Sequence, residues 1–220
     1  MIDKTTLIFL TKLKKNNSKA WFDANRKTYD AARENVTIFI QGLLSGASRF
    51  EPGLSTLEAR KCLFRINRDI RFSKDKSPYK TNFGASMNFA GKNAPGPGYY
   101  IHLEPGGHSF MAGGIYMAEP ALLAAIRQEI DYNLPEFNAI LGHKKFKQTF
   151  GELSMGDKLQ RPPKGYELDN PALEHLKNRH FIVSHPIADK DLQAKNLSKK
   201  IIAEMELMKP FLDFLKRAVE

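Results

Sequence analysis

Four short runs between residues 61 and 117 alternate apolar and polar side chains with a period of two. "KCLFRIN" sets Cys62, Phe64 and Ile66 against Leu63 and Arg65. "NFGASMNFAG" sets Phe83, Ala85, Met87 and Phe89 against Gly84, Ser86 and Asn88, and "YYIHLEP" sets Tyr99, Ile101 and Leu103 against Tyr100 and His102. "HSFMAGGIYM" is a fourth run, weakened by Gly113 and Gly114. Successive side chains of a strand point to opposite faces, so this pattern gives each run one face to bury. The connections "GKNAPGPG" and "EPGG" are rich in turn formers. Hairpin logic then predicts an antiparallel sheet of about four strands.

Helical spacing surrounds this block. "SKAWFDANRKTYDAARENVTIFIQGLL" places Trp21, Phe22, Tyr29, Ala32, Val36, Phe39, Ile40 and Leu43 on one face, with Asn17 or Ser18 as N-cap. A short helix over Thr5 to Leu13 precedes it, and Ser45 to Gly53 reads as a loop. Beyond the sheet, "EPALLAAIRQEIDYN" and "PEFNAILGHKKFKQTF" read as helices, and "PALEHLKN" as a short one. "HFIVSHPI" has the β-branched and aromatic content of a further strand. The last helix, "LSKKIIAEMELMKPFLDFLKRA", holds Pro210, which should kink or divide it. With no regular βα alternation, the expected class is α+β. Its antiparallel sheet has four to five strands, with long N-terminal and C-terminal helices packed on it, in a single domain spanning 1–220.

The hydrophobic fraction of 42%, with 15 Phe, is enough for a packed core and argues against intrinsic disorder. Cys62 is the single cysteine, which excludes an intrachain disulfide and any multi-cysteine metal site and fits a reducing cytoplasm. "LIFL" is too brief for a signal-peptide core, and no apolar run reaches the length of a membrane span. A cytoplasmic protein without a membrane partner is expected.

The formal net charge is +10, which favours anionic partners. Residues 65 to 80 hold six basic and two acidic side chains, a local net charge of +4. Arg65, Arg68, Arg71, Lys74 and Lys80 are the candidate anion-binding residues, because guanidinium forks match phosphate and carboxylate oxygens. Asp69 and Asp75 would hold the arginines in place. The competing reading is a solvated loop in which Arg68 or Arg71 pairs with Asp69 and Lys74 or Lys76 with Asp75.

His102 and Glu104 stand two apart, so on a strand they share a face. They are the candidate acid–base pair beside the basic loop, set against an ordinary hydrogen-bonded histidine. Asn25, a polar residue on an aromatic helix face, and Tyr100 are candidate pocket-lining residues. Gly113 and Gly114 are candidates for close approach of a ligand to the backbone. Cys62 reads as core, and neither a metal site nor a cofactor is expected. No Walker A loop, nucleophile elbow or His-Glu-x-x-His helix is present.

The segments "NNSKAWFDANRKTY", "LFRINRDIRFSKDKSPYKTNFG", "PGYYIHLEPGG", "AGGIYMAEPALLAAIRQEI", "RPPKGYELDNPALEHLKNRHFIV" and "MKPFLDFL" occur in that order. Together they resemble the bacterial and fungal domain-of-unknown-function family numbered 2461, over nearly the whole chain. The resemblance implies one family-wide domain and carries no activity and no catalytic residues. Three functions are therefore weighed on the residues alone. A small phosphorylated or carboxylated ligand, bound or turned over, suits a concentrated cationic cluster best. Nucleic acid, with the loop on phosphates and tyrosines on bases, is the second, and docking of an acidic protein partner the third.

Overall fold

The computed structural model describes residues 1–88, 95–153 and 158–218. Its helices are α1 (Lys4–Lys15), α2 (Lys19–Ala24), α3 (Arg26–Ala47), α4 (Ala59–Cys62), α5 (Pro120–Tyr132), α6 (Leu134–Gly142), α7 (Lys144–Phe150), α8 (Leu173–Leu176), α9 (Asp189–Leu192) and α10 (Leu197–Arg217). The strands β1 (Phe83–Met87), β2 (Gly98–Leu103), β3 (Phe110–Ile115) and β4 (Phe181–Pro186) form one antiparallel sheet in the order β1-β2-β3-β4. The class is α+β, as the periodicities predict. No described helix is long and apolar enough to cross a membrane. Phe89, assigned to the first hairpin by its alternation, lies outside the described residues.

The described chain divides into two compact units, one drawing on residues 1–88, 100–111 and 186–203, the other on 95–99, 112–153, 158–185 and 204–218. In the first unit, α3 buries Tyr29, Ala32, Val36, Phe39, Ile40, Leu43 and Leu44, a stripe at helical spacing. The α1 helix adds Phe9, Leu10 and Leu13. The helix expected over residues 18–44 is two helices, because Asn25 leaves helical geometry at φ −108° and ψ 17°. The Asn25 side-chain amide donates to the Trp21 carbonyl at 2.8 Å, a local bond that competes with the helix. Ser18 is the N-cap of α2, accepting from the Trp21 N–H at 3.3 Å. Asn17 instead reaches across the chain: it donates to the Tyr79 carbonyl at 2.9 Å and accepts from the Tyr79 N–H at 3.0 Å.

"KCLFRIN" is not a full strand. Cys62 ends α4, and only Leu63 bridges to Ala85 and Asn67 to Tyr79. Leu63, expected on the polar side, is 2% exposed. A seven-residue alternating run is short enough for a helix end and two isolated bridges to override it.

In the second unit, Phe137 of α6 packs between Phe211 and Phe214 of α10, with ring centroids 6.3 and 5.0 Å away. The helix expected over residues 135–150 breaks at His143, giving α6 and α7. Pro210 lies inside α10 without dividing it. Gly113 and Gly114 admit the protein's own chain. A Cβ on Gly113 would come 2.6 Å from Met208 Sδ, and Gly114, at φ +132°, lies against the β4 backbone at Phe181.

Candidate functional site

The β2 strand buries Tyr99, Ile101 and Leu103 on one face, each 1% exposed. Its period of two therefore sets Tyr100, His102 and Glu104 together on the other. These three side chains form a continuous hydrogen-bonded line within the first unit. Tyr100 Oη lies 3.1 Å from His102 Nδ1, and His102 Nε2 lies 3.2 Å from Glu104 Oε2. The other Glu104 oxygen accepts from the Thr81 hydroxyl at 2.9 Å and from Lys14 Nζ at 3.5 Å. Phe110 of β3 covers the imidazole, with stacked rings 4.8 Å apart at 10°.

Burial pushes the Glu104 carboxyl up, but the hydrogen bonds from His102 and Thr81, with the Lys14 charge, more than offset this and leave it below its ordinary value. An ionised carboxylate only accepts hydrogen bonds. His102 then donates from Nε2, which in the neutral ring leaves Nδ1 to accept the Tyr100 hydroxyl proton. Burial pushes the Tyr100 phenol up to about 12, so it stays protonated near neutrality. The polarity of the line is thus set: Tyr100 donates to His102, and His102 donates to Glu104.

The site also depends on a glycine. A Cβ on Gly84 would come 2.6 Å from Tyr100 Oη, so β1 leaves room for the phenol only because it has no side chain there. The Phe64 ring lies 6.3 Å from the Tyr100 ring, and Lys80 Nζ sits 5.3 Å from the Phe64 centroid. A cleft of about 230 Å³ opens at the other end of the line, lined by Leu10, Lys14, Thr81, Glu104, Pro105 and Gly106 among others. The Gly106 and Gly107 N–H groups are engaged by the Asp189 carboxylate at 2.8 and 3.1 Å.

The basic loop is held rigidly at its base. The Asn67–Tyr79 bridge closes it, Asn17 clasps Tyr79 from both sides, and the Tyr79 ring stacks on Phe22 at 4.0 Å. Arg68 is turned inward, paired with Asp75 and donating to the Ser77 carbonyl at 3.2 Å and the Ser73 hydroxyl at 3.3 Å. Ser77, through its hydroxyl and N–H, and Arg68 together hold the Asp75 carboxyl down to about 2. Arg71 forks onto Asp69 at 3.0 and 2.7 Å. Arg65 and Lys74 are exposed, and Phe72, at 95% exposure, projects between the cations.

The structure therefore joins Tyr100, His102 and Glu104 in one line, sets Lys80 over the Phe64 ring that neighbours Tyr100, and engages Arg68 and Arg71 with carboxylates of their own loop. Asn25 is held by Trp21 and lines neither described cleft. Thr81, a hydroxyl donor of the basic loop by sequence, bonds to Glu104, whereas Lys14, Gly84 and Phe72 escape a reading by sequence. Only Phe72 carries a signal there, as an aromatic residue inside a charged, turn-like run.

Fold and site together define an α+β protein with a Tyr–His–Glu hydrogen-bonded line on the outer face of a sheet strand. The chain belongs to the family described as conserved hypothetical protein (DUF2461), whose model matches residues 5–214. No curated protein and no solved structure gives a significant match to it.

Proposed function

We propose that this protein binds a small phosphorylated or carboxylated molecule beside Tyr100 and Lys80 and moves a proton on it. The ordered line from Tyr100 through His102 to Glu104 carries the reading. A ligand proton passes to Tyr100 Oη as the phenol hands its own proton to His102 Nδ1. Glu104, bonded to Nε2, stabilises the imidazolium that results. The phenol never has to ionise alone, so its high pKa is no obstacle. Lys80 supplies the cation that holds the ligand's anionic group, and Arg65 and Lys74 add to the local positive potential.

A thermal-shift screen of phosphorylated and carboxylated metabolites tests this reading. A ligand should raise the melting temperature by mass action, and Lys80→Ala should weaken the response. Exchange of a ligand proton with deuterated solvent should require His102 and vanish in His102→Gln. A screen without any stabilising anion, or exchange that survives in His102→Gln, contradicts it.

One observation favours a second reading, in which the same loop binds single-stranded nucleic acid. Phe72 stands almost fully exposed beside the Arg71 guanidinium, 5.8 Å from its ring centroid, and near Lys74 and Lys76. Aromatic rings ringed by cations stack on bases with little sequence preference. Binding of oligonucleotides that weakens steeply with salt and is lost in Phe72→Ala supports this reading over the first.

A further inference from the structure

The second compact unit holds a separate cleft of about 340 Å³, lined by Met117, Ala118, Leu123, Arg127, Leu159, Arg179 and His180. Its size falls at the lower end of the range for small-molecule sites, roughly 300–1,000 Å³. The lining is of two kinds. Met117, Ala118, Leu123 and Leu159 are apolar, whereas Arg127 and Arg179 bring two guanidiniums to the same cleft.

Among the described residues, neither arginine forms an ion pair. Arg127 donates from Nε to the Leu176 carbonyl at 2.7 Å and from Nη2 to the Asn178 carbonyl at 3.1 Å. Both acceptors are neutral, and a guanidinium has five N–H donors, so three of its N–H groups are not engaged by these bonds. The two carbonyls fix the plane of the fork while leaving its charge uncompensated. Burial lowers the Arg127 pKa; Tyr166 opposes this shift and the like charge of Arg179 adds to it. Two like charges gathered at a partly desolvated site are unfavourable until an anion joins them.

His180 completes the polar side. Its Nδ1 accepts the Met117 N–H at 3.1 Å, which leaves Nε2–H as the ring's donor. Met117 is the one non-glycine residue at positive φ among those described, at 52°, a conformation L-residues adopt at some cost. The Tyr116 ring lies 4.7 Å from the imidazole. A strained backbone, a bonded imidazole and a fixed guanidinium thus preorganise one wall of the cleft.

We propose that this cleft is a binding site for a small amphiphilic anion, a carboxylate or phosphate monoester on a short apolar body. Arg127 and Arg179 hold the oxygens, and Met117, Leu123 and Leu159 cover the body. The site is independent of the Tyr100–His102–Glu104 line.

The test is calorimetric titration of the full chain with hexanoate, hexyl phosphate, hexanol and inorganic phosphate. Hexanoate or hexyl phosphate, or both, should bind saturably, and which of them binds tighter identifies the head group. Hexanol, which lacks the charge, and inorganic phosphate, which lacks the body, should each bind about tenfold or more weakly. Arg179→Gln, which breaks no hydrogen bond among the described residues, should cost the amphiphiles about tenfold, and His102→Gln should leave them unchanged. Failure of both amphiphiles to bind overturns the proposal, as does equal binding by Arg179→Gln. Binding lost in His102→Gln but kept in Arg179→Gln also overturns it and assigns the anion to the first unit.

Discussion

Glu104 holds His102 through Oε2 and Nε2 at 3.2 Å while its other oxygen accepts from Thr81 at 2.9 Å. The carboxylate is thereby fixed at both ends, and the imidazole it holds has one orientation. Glu104→Gln replaces an acceptor by an amide that also donates, so the bond from Nε2 survives only if the amide oxygen faces His102. The variant is expected to lose about 1 kcal/mol in urea unfolding, the net worth of one such hydrogen bond.

Gly84 and Tyr100 are expected to be energetically coupled. Gly84→Ala forces its Cβ against Tyr100 Oη, and the phenol must move away from His102. Overpacking of this kind costs about 1–3 kcal/mol. In the Tyr100→Phe background the hydroxyl is gone, so the same substitution should cost distinctly less. A double-mutant cycle measures the difference directly, and additive costs would show that the phenol has room to spare.

Arg68 and Arg71 are both paired, yet their removal should have unlike effects. Arg68 ties Asp75, Ser73 and the Ser77 carbonyl into one knot, so Arg68→Ala should open the loop to limited proteolysis within residues 68–78. Arg71 forks only onto exposed Asp69. Arg71→Ala should leave both the protease pattern and the melting temperature nearly unchanged, since exposed pairs contribute little. Acid should mimic the Arg68 variant. Asp75 is held near 2 in the fold, so its contribution is full above the ordinary carboxylate range and is lost as pH falls towards 2.

Alkaline stability should report on Tyr100. Its phenol is raised from 10.0 to about 12, so the folded state holds the proton more tightly than the unfolded chain does. That contribution is full below pH 10 and is lost as pH rises towards 12. The stability difference between the native chain and Tyr100→Phe should therefore shrink across that window in denaturant titrations. A constant difference would mean that the phenol is not buried as described.

The sheet was legible because β2 buries strictly alternate residues and β1 keeps Phe83, Ala85 and Met87 buried at a spacing of two, and a period of two is visible in any strand with one dry face. The same period set His102 and Glu104 on one face and, by extension, Tyr100. The helix break at Asn25 was not legible, since it depends on one side chain choosing the Trp21 carbonyl. Asn17 illustrates the limit most clearly. It stands where an N-cap is expected, yet it bonds to Tyr79, 62 residues away. The loop arginines could be read as cations, but whether they faced outward or onto Asp69 and Asp75 is decided by turn geometry. Arg127 and Arg179 are 52 positions apart, and only the fold brings them to one cleft.

In the proposed relay His102 carries its proton on Nε2, bonded to Glu104, and takes the Tyr100 proton at Nδ1. The most direct measurement is the nitrogen-15 NMR spectrum of the His102 imidazole, assigned by comparison with His102→Gln, without and with the best stabilising anion from the screen. The account predicts a protonated Nε2 and an accepting Nδ1 in the free protein, with the Nδ1 resonance shifting when the anion binds. A proton on Nδ1 in the free protein, or an imidazole indifferent to the anion, would contradict it.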